Sequence, residues 1–157
     1  MTESKMSGLQ SVQKGQVYFE DVEVGSEIPP LVKGPYMVMD MAKFGAMVGD
    51  FYPTHYDHKW AMEKDRVPAV VVYGLQIASH LCQLLTDWIG PDGALRRYTN
   101  RVTAQVYIGD TLTLKGRVIK KYTREGSNYV ECELWGEKQD GTRAVVGSGT
   151  VVLPSKH

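Results

Sequence analysis

The 157-residue chain has two cysteines, no net charge and no long apolar run, and each shortage excludes a class of protein. Cys82 and Cys132 stand far apart in apolar surroundings without metal-ligand spacing, which argues against a disulfide framework or a zinc site and predicts two reduced, buried thiols. Lys and Arg total 18 and Asp and Glu total 18, so no overall field draws the protein to nucleic acid or to an anionic membrane. No apolar segment approaches the ~20 residues that span a bilayer. Residues 1–15 are polar and lack the apolar core of a signal peptide, so a soluble, cytoplasmic protein is expected. There are no repeats, heptads or low-complexity tracts. The length suits one domain, placed at residues 16–157 behind a mobile tail at 1–15.

What is present is a pattern of helices followed by strands. Tyr18 to Val22 is expected as a short edge piece, and Pro29-Pro30 as irregular backbone outside any sheet. Tyr36 to Met39 reads as a first strand, with Asp40 as N-cap of a helix over Met41–Val48. Met41, Phe44, Met47 and Val48 share one face of that helix and are assigned to the core, and Gly49 suits its end. Asp57 suits a cap for a short helix over His58–Lys64, and His80 a packed or hydrogen-bonded position. Val67 to Tyr73 is apolar and β-branched. After Gly74, a helix over Leu75–Ile89 is apolar on most sides, spans ~24 Å and is predicted to be buried. Leu95–Val106, Thr111–Thr123, Asn128–Trp135 and Arg143–Leu153 have strand composition and are divided by turn residues, predicting an antiparallel meander. Val130, Cys132 and Leu134 alternate with polar neighbours, so one face of the sheet is buried. Gly147 and Gly149 would let the helix or a ligand come close. Lys115, Arg117, Lys120, Lys121 and Arg124 read as a solvated strand face, with phosphate contact second. The fold class is α+β, one antiparallel sheet wrapped around one long helix, because neither can hide its apolar surface alone.

The chemistry is expected in Val48-Gly49-Asp50-Phe51-Tyr52-Pro53-Thr54-His55-Tyr56-Asp57. Asp50 and His55 flank a proline that fixes its own φ and keeps Tyr52 out of the helical region. A bent segment of this kind turns a carboxylate and an imidazole toward one point, where both can hydrogen-bond one water or substrate proton. The competing reading is a capping Asp and a surface His. His55, Asp57 and His58 are packed too tightly to converge on a metal without a fourth ligand, so no metal is expected.

The stretch Gly49-Asp50-Phe51-Tyr52-Pro53-Thr54-His55-Tyr56-Asp57, with Ala61 after it, resembles the hydratase signature of the MaoC-like dehydratases, hot-dog-fold enzymes that include the R-specific enoyl-CoA hydratases. The likeness runs from Phe19-Glu20-Asp21-Val22-Glu23-Val24-Gly25 through Tyr73-Gly74 and Tyr107-Ile108-Gly109-Asp110-Thr111-Leu112 to Val151-Val152-Leu153-Pro154. The resemblance implies Asp50 and His55 as catalytic acid/base pair and the Gly74 amide as oxyanion donor at the start of the buried helix. It implies reversible hydration of a 2-enoyl-CoA, with no cofactor beyond the coenzyme A of the substrate. It also implies a homodimer or higher homo-oligomer, or a heteromer with a related hot-dog chain. Two positions depart from the family pattern: Tyr52 stands where Asn is usual and Tyr73 where His commonly precedes the helix glycine, and both are assigned to substrate binding or its support. The alternatives are an acyl-CoA thioesterase on the same fold and an acyl-CoA-binding partner subunit.

Overall fold

The computed structural model describes residues 15–156, so the tail expected at 1–15 lies, Gly15 apart, outside the described residues. A five-stranded antiparallel sheet is built from β1 (Glu27–Lys33), β2 (Ala94–Val102), β3 (Leu112–Arg124), β4 (Ser127–Lys138) and β5 (Arg143–Leu153), in the order β1-β3-β4-β5-β2. Three α-helices precede most of it: α1 (Val38–Val48), α2 (His58–Glu63) and α3 (Gly74–Ile89). The sheet wraps α3, giving the expected hot-dog arrangement. Ile77, Leu81, Leu84, Leu85 and Trp88 on the helix form one core with Leu112, Leu114, Val118, Val130, Cys132, Leu134, Val145, Val151 and Leu153 on the strands. Burying a Leu side chain of this kind contributes about 1.5–3 kcal/mol, so this contact stabilises the molecule. Gly147 and Gly149 act as expected: a Cβ at Gly149 would collide with Leu85 Cδ1, and one at Gly147 would lie 3.2 Å from Leu81 Cδ2. The helix rests directly on the backbone of β5.

Several expectations are corrected. Pro29 and Pro30 lie inside β1, at the point where its pairing with β3 shifts register between Ile28 and Leu31. A proline cannot donate to a ladder, but β1 is an edge strand and the irregularity absorbs both rings. Tyr36 to Met39 is not a strand; α1 begins at Val38. Asp40 is accordingly not the N-cap but the third helical residue, and its Oδ2 accepts the Met37 N–H at 2.9 Å, reaching back as the acidic member of a capping box does. Tyr18 to Val22 forms a 3₁₀ turn over Phe19–Asp21, anchored by Phe19 N–H to the Pro154 carbonyl at 3.0 Å.

On α1, Met41 and Phe44 are buried, whereas Met47 is 74% exposed and Val48 is also exposed. A Cβ on Gly45 would abut the tip of Tyr73, the residue before α3, so α1 meets the start of the buried helix through Phe44 and Gly45. Leu75, the second residue of α3, is exposed as well. The meander holds only for β3, β4 and β5. β2 pairs with β5, not with β3, because the chain leaves β2 at Val102 and returns across the molecule, where Val106 O accepts the Val72 N–H at 2.8 Å and Tyr107 bridges to Val71.

That returning loop is pinned by Asp110. Its carboxylate accepts Tyr107 N–H at 2.9 Å and Gln139 Nε2 at 2.6 Å, and pairs with Lys138 Nζ at 2.9 Å. Burial alone would raise the Asp110 pKa, but these three donors hold it below the usual carboxylate range. The basic cluster on β3 is largely neutralised across the strands, with Lys115 to Glu137 at 2.7 Å, Arg117 to Glu133 at 2.5 Å and Lys120 to Glu131 at 3.8 Å, in keeping with a solvated face. Cys82 and Cys132 are both free thiols; Cys132 is buried and Cys82 half-buried. No helix among the described residues is long and apolar enough to cross a membrane.

Candidate active site

The expected site residues lie on the segment between α1 and α3, and local chemistry explains its path. Gly49 ends α1 in the left-handed region at φ 72°, donating its N–H to Gly45 O at 2.8 Å, a conformation that glycine adopts without a Cβ penalty. Asp50 follows, its own N–H also on Gly45 O at 3.2 Å. Its Oδ1 accepts the Tyr52 N–H at 3.1 Å, a local turn that leaves Oδ2 for other partners. Pro53 then opens a 3₁₀ turn, Pro53–His55, that delivers the imidazole. Asp57 caps α2 as expected, Oδ1 accepting Trp60 N–H at 3.0 Å.

His55 is clamped onto the strand-like run before α3 by two opposed bonds. Its Nδ1 lies 2.7 Å from the Val71 carbonyl, and Val71 N–H donates to Thr54 O at 3.1 Å. A carbonyl oxygen only accepts, so in the neutral ring Nδ1 carries the hydrogen and the lone pair is on Nε2. The remainder of the arrangement is set by Tyr73. Its ring stacks on the His55 imidazole with centroids 3.7 Å apart, and its hydroxyl donates to the Asp50 carbonyl at 2.6 Å. Burial, and after it the Asp50 carboxylate, push the Tyr73 phenol up, so it stays protonated and keeps donating. Gly45 makes this possible: a Cβ there would strike the Tyr73 hydroxyl and lie 2.9 Å from Asp50 O. Phe44 also packs against the Tyr73 ring, tilted, with centroids 5.3 Å apart.

Tyr73 also immediately precedes α3, and its side chain makes no hydrogen bond to the helix start. The first N–H groups of an α-helix have no intrahelical acceptor and carry the positive end of the helix dipole. The amide of Gly74, which is exposed and carries no side chain, therefore opens the helix next to the residue that touches both Asp50 and His55. Tyr52 is placed differently from Tyr73. It is half exposed, its hydroxyl donates to Asp65 Oδ1 at 3.0 Å, and its ring packs edge-on against Trp60 at 6.3 Å. Gly45 and Val71 were not singled out in the sequence; a helical glycine four residues before a capping glycine was the only signal for the first, and an anonymous β-branched run hid the second. Among the described residues no group of three or more His, Cys, Asp and Glu is placed to hold a metal.

Comparison with known proteins agrees with this architecture. The R-hydratase PhaJ1 from Pseudomonas aeruginosa superposes with a TM-score of 0.80 over 90% of this chain and 88% of its own, at 21% identity. The (R)-hydratase from A. caviae involved in PHA biosynthesis gives 0.74 over 86% and 99%, at 26% identity. A chain of the ChsH1-ChsH2 complex from Mycobacterium tuberculosis gives 0.71 over 83% and 98%, at 20% identity. No curated protein sequence matches. The MaoC like domain family model matches residues 22–134, from the turn before β1 to the middle of β4 and across the whole Asp50 to Gly74 segment, and the chain belongs to the MaoC-like domain family.

Proposed function

We propose that the protein is an enoyl-CoA hydratase, adding water reversibly across the 2,3 double bond of a 2-enoyl-CoA thioester, with R stereochemistry by analogy with the hydratases it resembles. The observation that carries this reading is the position of Tyr73, which touches Asp50 and His55 and leads directly into the Gly74 amide. Hydration needs a base for a water proton as oxygen bonds to C3, an acid to place a proton on C2, and donors for the thioester oxygen as it gains enolate charge. Asp50 Oδ2 and His55 Nε2 supply two acceptors for the two hydrogens of one water; one of them takes a proton as the C3–O bond forms, and the pair, now holding that proton, returns it to C2, so that the water adds as OH and H and both groups end as they began. The Gly74 N–H at the positive end of α3 stabilises the oxygen of the enolate. Tyr73 positions the pair rather than reacting. The chemistry needs no cofactor beyond the coenzyme A of the substrate.

Phe51, Tyr52, Tyr56, Met47, Leu75 and Val102 are exposed around this site, and β2, which ends at Val102 beside Gly74, is an edge strand. An apolar rim next to an unshared strand edge fits a second copy of the chain, with acyl-CoA entering at the boundary.

The test is the disappearance of the conjugated enoyl-thioester absorbance across short, long and ring-bearing 2-enoyl-CoAs. Turnover is expected with at least one of them, and Asp50→Asn or His55→Ala is expected to lower kcat/KM about a hundredfold or more while circular dichroism stays unchanged. No turnover by the chain alone or paired with a related hot-dog chain, or release of free coenzyme A thiol instead of hydration, would overturn the assignment.

A further inference from the structure

We infer that Asp65 is a positioning residue for the acid/base pair and acts through Tyr52, whose backbone holds Asp50 on one side and His55 on the other. The inference rests on the hydratase reading for what the pair does, and on the geometry alone for how the pair is held. As the residue before Pro53, Tyr52 is extended, at φ −64° and ψ 126°. Its N–H donates to Asp50 Oδ1 at 3.1 Å, and its carbonyl accepts the His55 N–H at 3.2 Å. Asp50 and His55 are thus both bonded to the backbone of one residue, and a rotation of Tyr52 displaces them relative to each other.

Those two bonds do not fix Tyr52 by themselves. Both are at the long end of the N–H···O range, and both lie inside the segment they would have to orient. Its neighbours add no outside anchor: the Phe51 carbonyl accepts the Tyr56 hydroxyl at 2.7 Å, and the Pro53 carbonyl accepts the N–H groups of Tyr56 and Asp57. Among the described residues, the one hydrogen bond that ties Phe51, Tyr52 or Pro53 to chain beyond 50–57 runs from the Tyr52 hydroxyl to Asp65 Oδ1, at 3.0 Å. Tyr73 and Val71 hold the two ends of the segment, at the Asp50 carbonyl and at Thr54 and His55. Asp65 holds its middle.

The anchor is itself held in place. Asp65 follows α2, with its N–H on the Trp60 carbonyl at 3.3 Å. Arg66 then turns the chain at φ 55°, in the left-handed region that a residue with a Cβ seldom adopts. Val67 N–H closes the turn on the carbonyl of Ala61 at 3.0 Å, and Ala61 is fully buried. The Tyr52 phenol is the only hydrogen-bond donor to the half-buried Asp65 carboxylate among the described residues. A bond from a hydroxyl to a carboxylate is stronger than one between neutral groups, so the phenol is committed to Asp65 rather than left free for a substrate.

The experiment takes the full chain carrying Asp65→Ala, Tyr52→Phe, both together, or Asp65→Asn. It measures kcat and KM with the 2-enoyl-CoA that the unmodified chain turns over fastest, and the exchange of the Tyr52 and His55 amide hydrogens with water by NMR. Asp65→Ala and Tyr52→Phe are each expected to lower kcat about tenfold with KM little changed, because the pair is misplaced while substrate binding is untouched. The double variant is expected to be no slower than either single one, since both remove the same bond. Asp65→Asn keeps an acceptor for the phenol and is expected to retain most of the rate. In both single variants the two amides are expected to exchange about tenfold faster, with those of Leu81 and Leu84 unchanged. A thermal melt shows that each variant is folded. Full kcat in Asp65→Ala, a raised KM at full kcat in Tyr52→Phe, losses that multiply in the double variant, or unchanged exchange at both amides each overturn the inference. No turnover by the unmodified chain would overturn hydration alone; faster exchange at Tyr52 and His55 in both single variants would then still uphold Asp65 as the group that positions the pair.

Discussion

The sheet with its buried helix and the segment from Gly49 to Gly74 are held together by different forces. In the first, Leu81, Leu84 and Leu85 meet Val130, Cys132, Leu134 and Val151 with almost no solvent contact, and the hydrophobic effect does the holding. In the second, Phe51, Tyr52, Tyr56, Trp60 and Met62 are exposed, and the path is set by a few directional bonds: Gly45 O to Gly49 and Asp50, His55 to Val71, Val71 to Thr54, Tyr73 to Asp50. Apolar burial is non-directional and forgiving, which suits a scaffold. A hydrogen bond fixes an angle, which suits two groups proposed to share one water. Damage to the first region should therefore appear as lost stability, and damage to the second as lost rate.

Three changes sharpen or break that contrast. The largest effect on stability is expected from Leu85→Ala, which removes a fully buried side chain lying against Gly149 and should cost about 3 kcal/mol. Denaturant titration should show a lower midpoint at unchanged slope, with kcat of the folded fraction preserved; a collapse of kcat at full folding would erase the distinction. Next is Tyr73→Phe, which keeps the ring on His55 and deletes the bond to Asp50 O. It should cost about 1 kcal/mol of stability but reduce kcat by roughly tenfold or more, with KM little changed. A loss of stability with full kcat would show that Tyr73 is merely structural.

The smallest effect is a pH dependence on the scaffold side, where His80 of α3 meets the chain between β1 and α1. The His80 pKa is lowered from 6.5 to about 4 by burial and then by the Lys33 ammonium, with Asp40 opposing and the Tyr36 hydroxyl on its Nδ1. Below 6.5 the unfolded chain takes up a proton that folded His80 refuses, so its contribution to stability is complete above that pH and is lost as pH falls toward about 4. Thermal melts across that interval should decline, and His80→Gln should flatten the decline; an unchanged slope would remove His80 as its source.

The regions also differed in how readable they were. β3, β4, β5 and α3 carry unbroken patterns of apolar residues, and their bounds came within a few residues because burial writes its period into the chain. Gly49 and Asp57 were legible because capping is local chemistry between near neighbours. Pro29-Pro30 misled because a proline pair reads as a break unless the strand is known to be an edge. Met47 and Val48 misled because helical spacing shows which residues share a face but not where the opposing surface stops. Asp50, His55, Gly74 and Tyr73 stood out as residue types in a familiar arrangement, but nothing local showed that the Tyr73 ring would lie on His55 with its hydroxyl on the Asp50 carbonyl.

By itself, the sequence determined an antiparallel sheet around one apolar helix and the residues able to do acid/base work, since both follow from side-chain chemistry and short-range spacing. Only the tertiary structure decided that β2 pairs with β5 and that Tyr73 connects Asp50, His55 and the start of α3. Each of those depends on contacts between residues far apart in the chain, and such contacts leave no periodic trace in it.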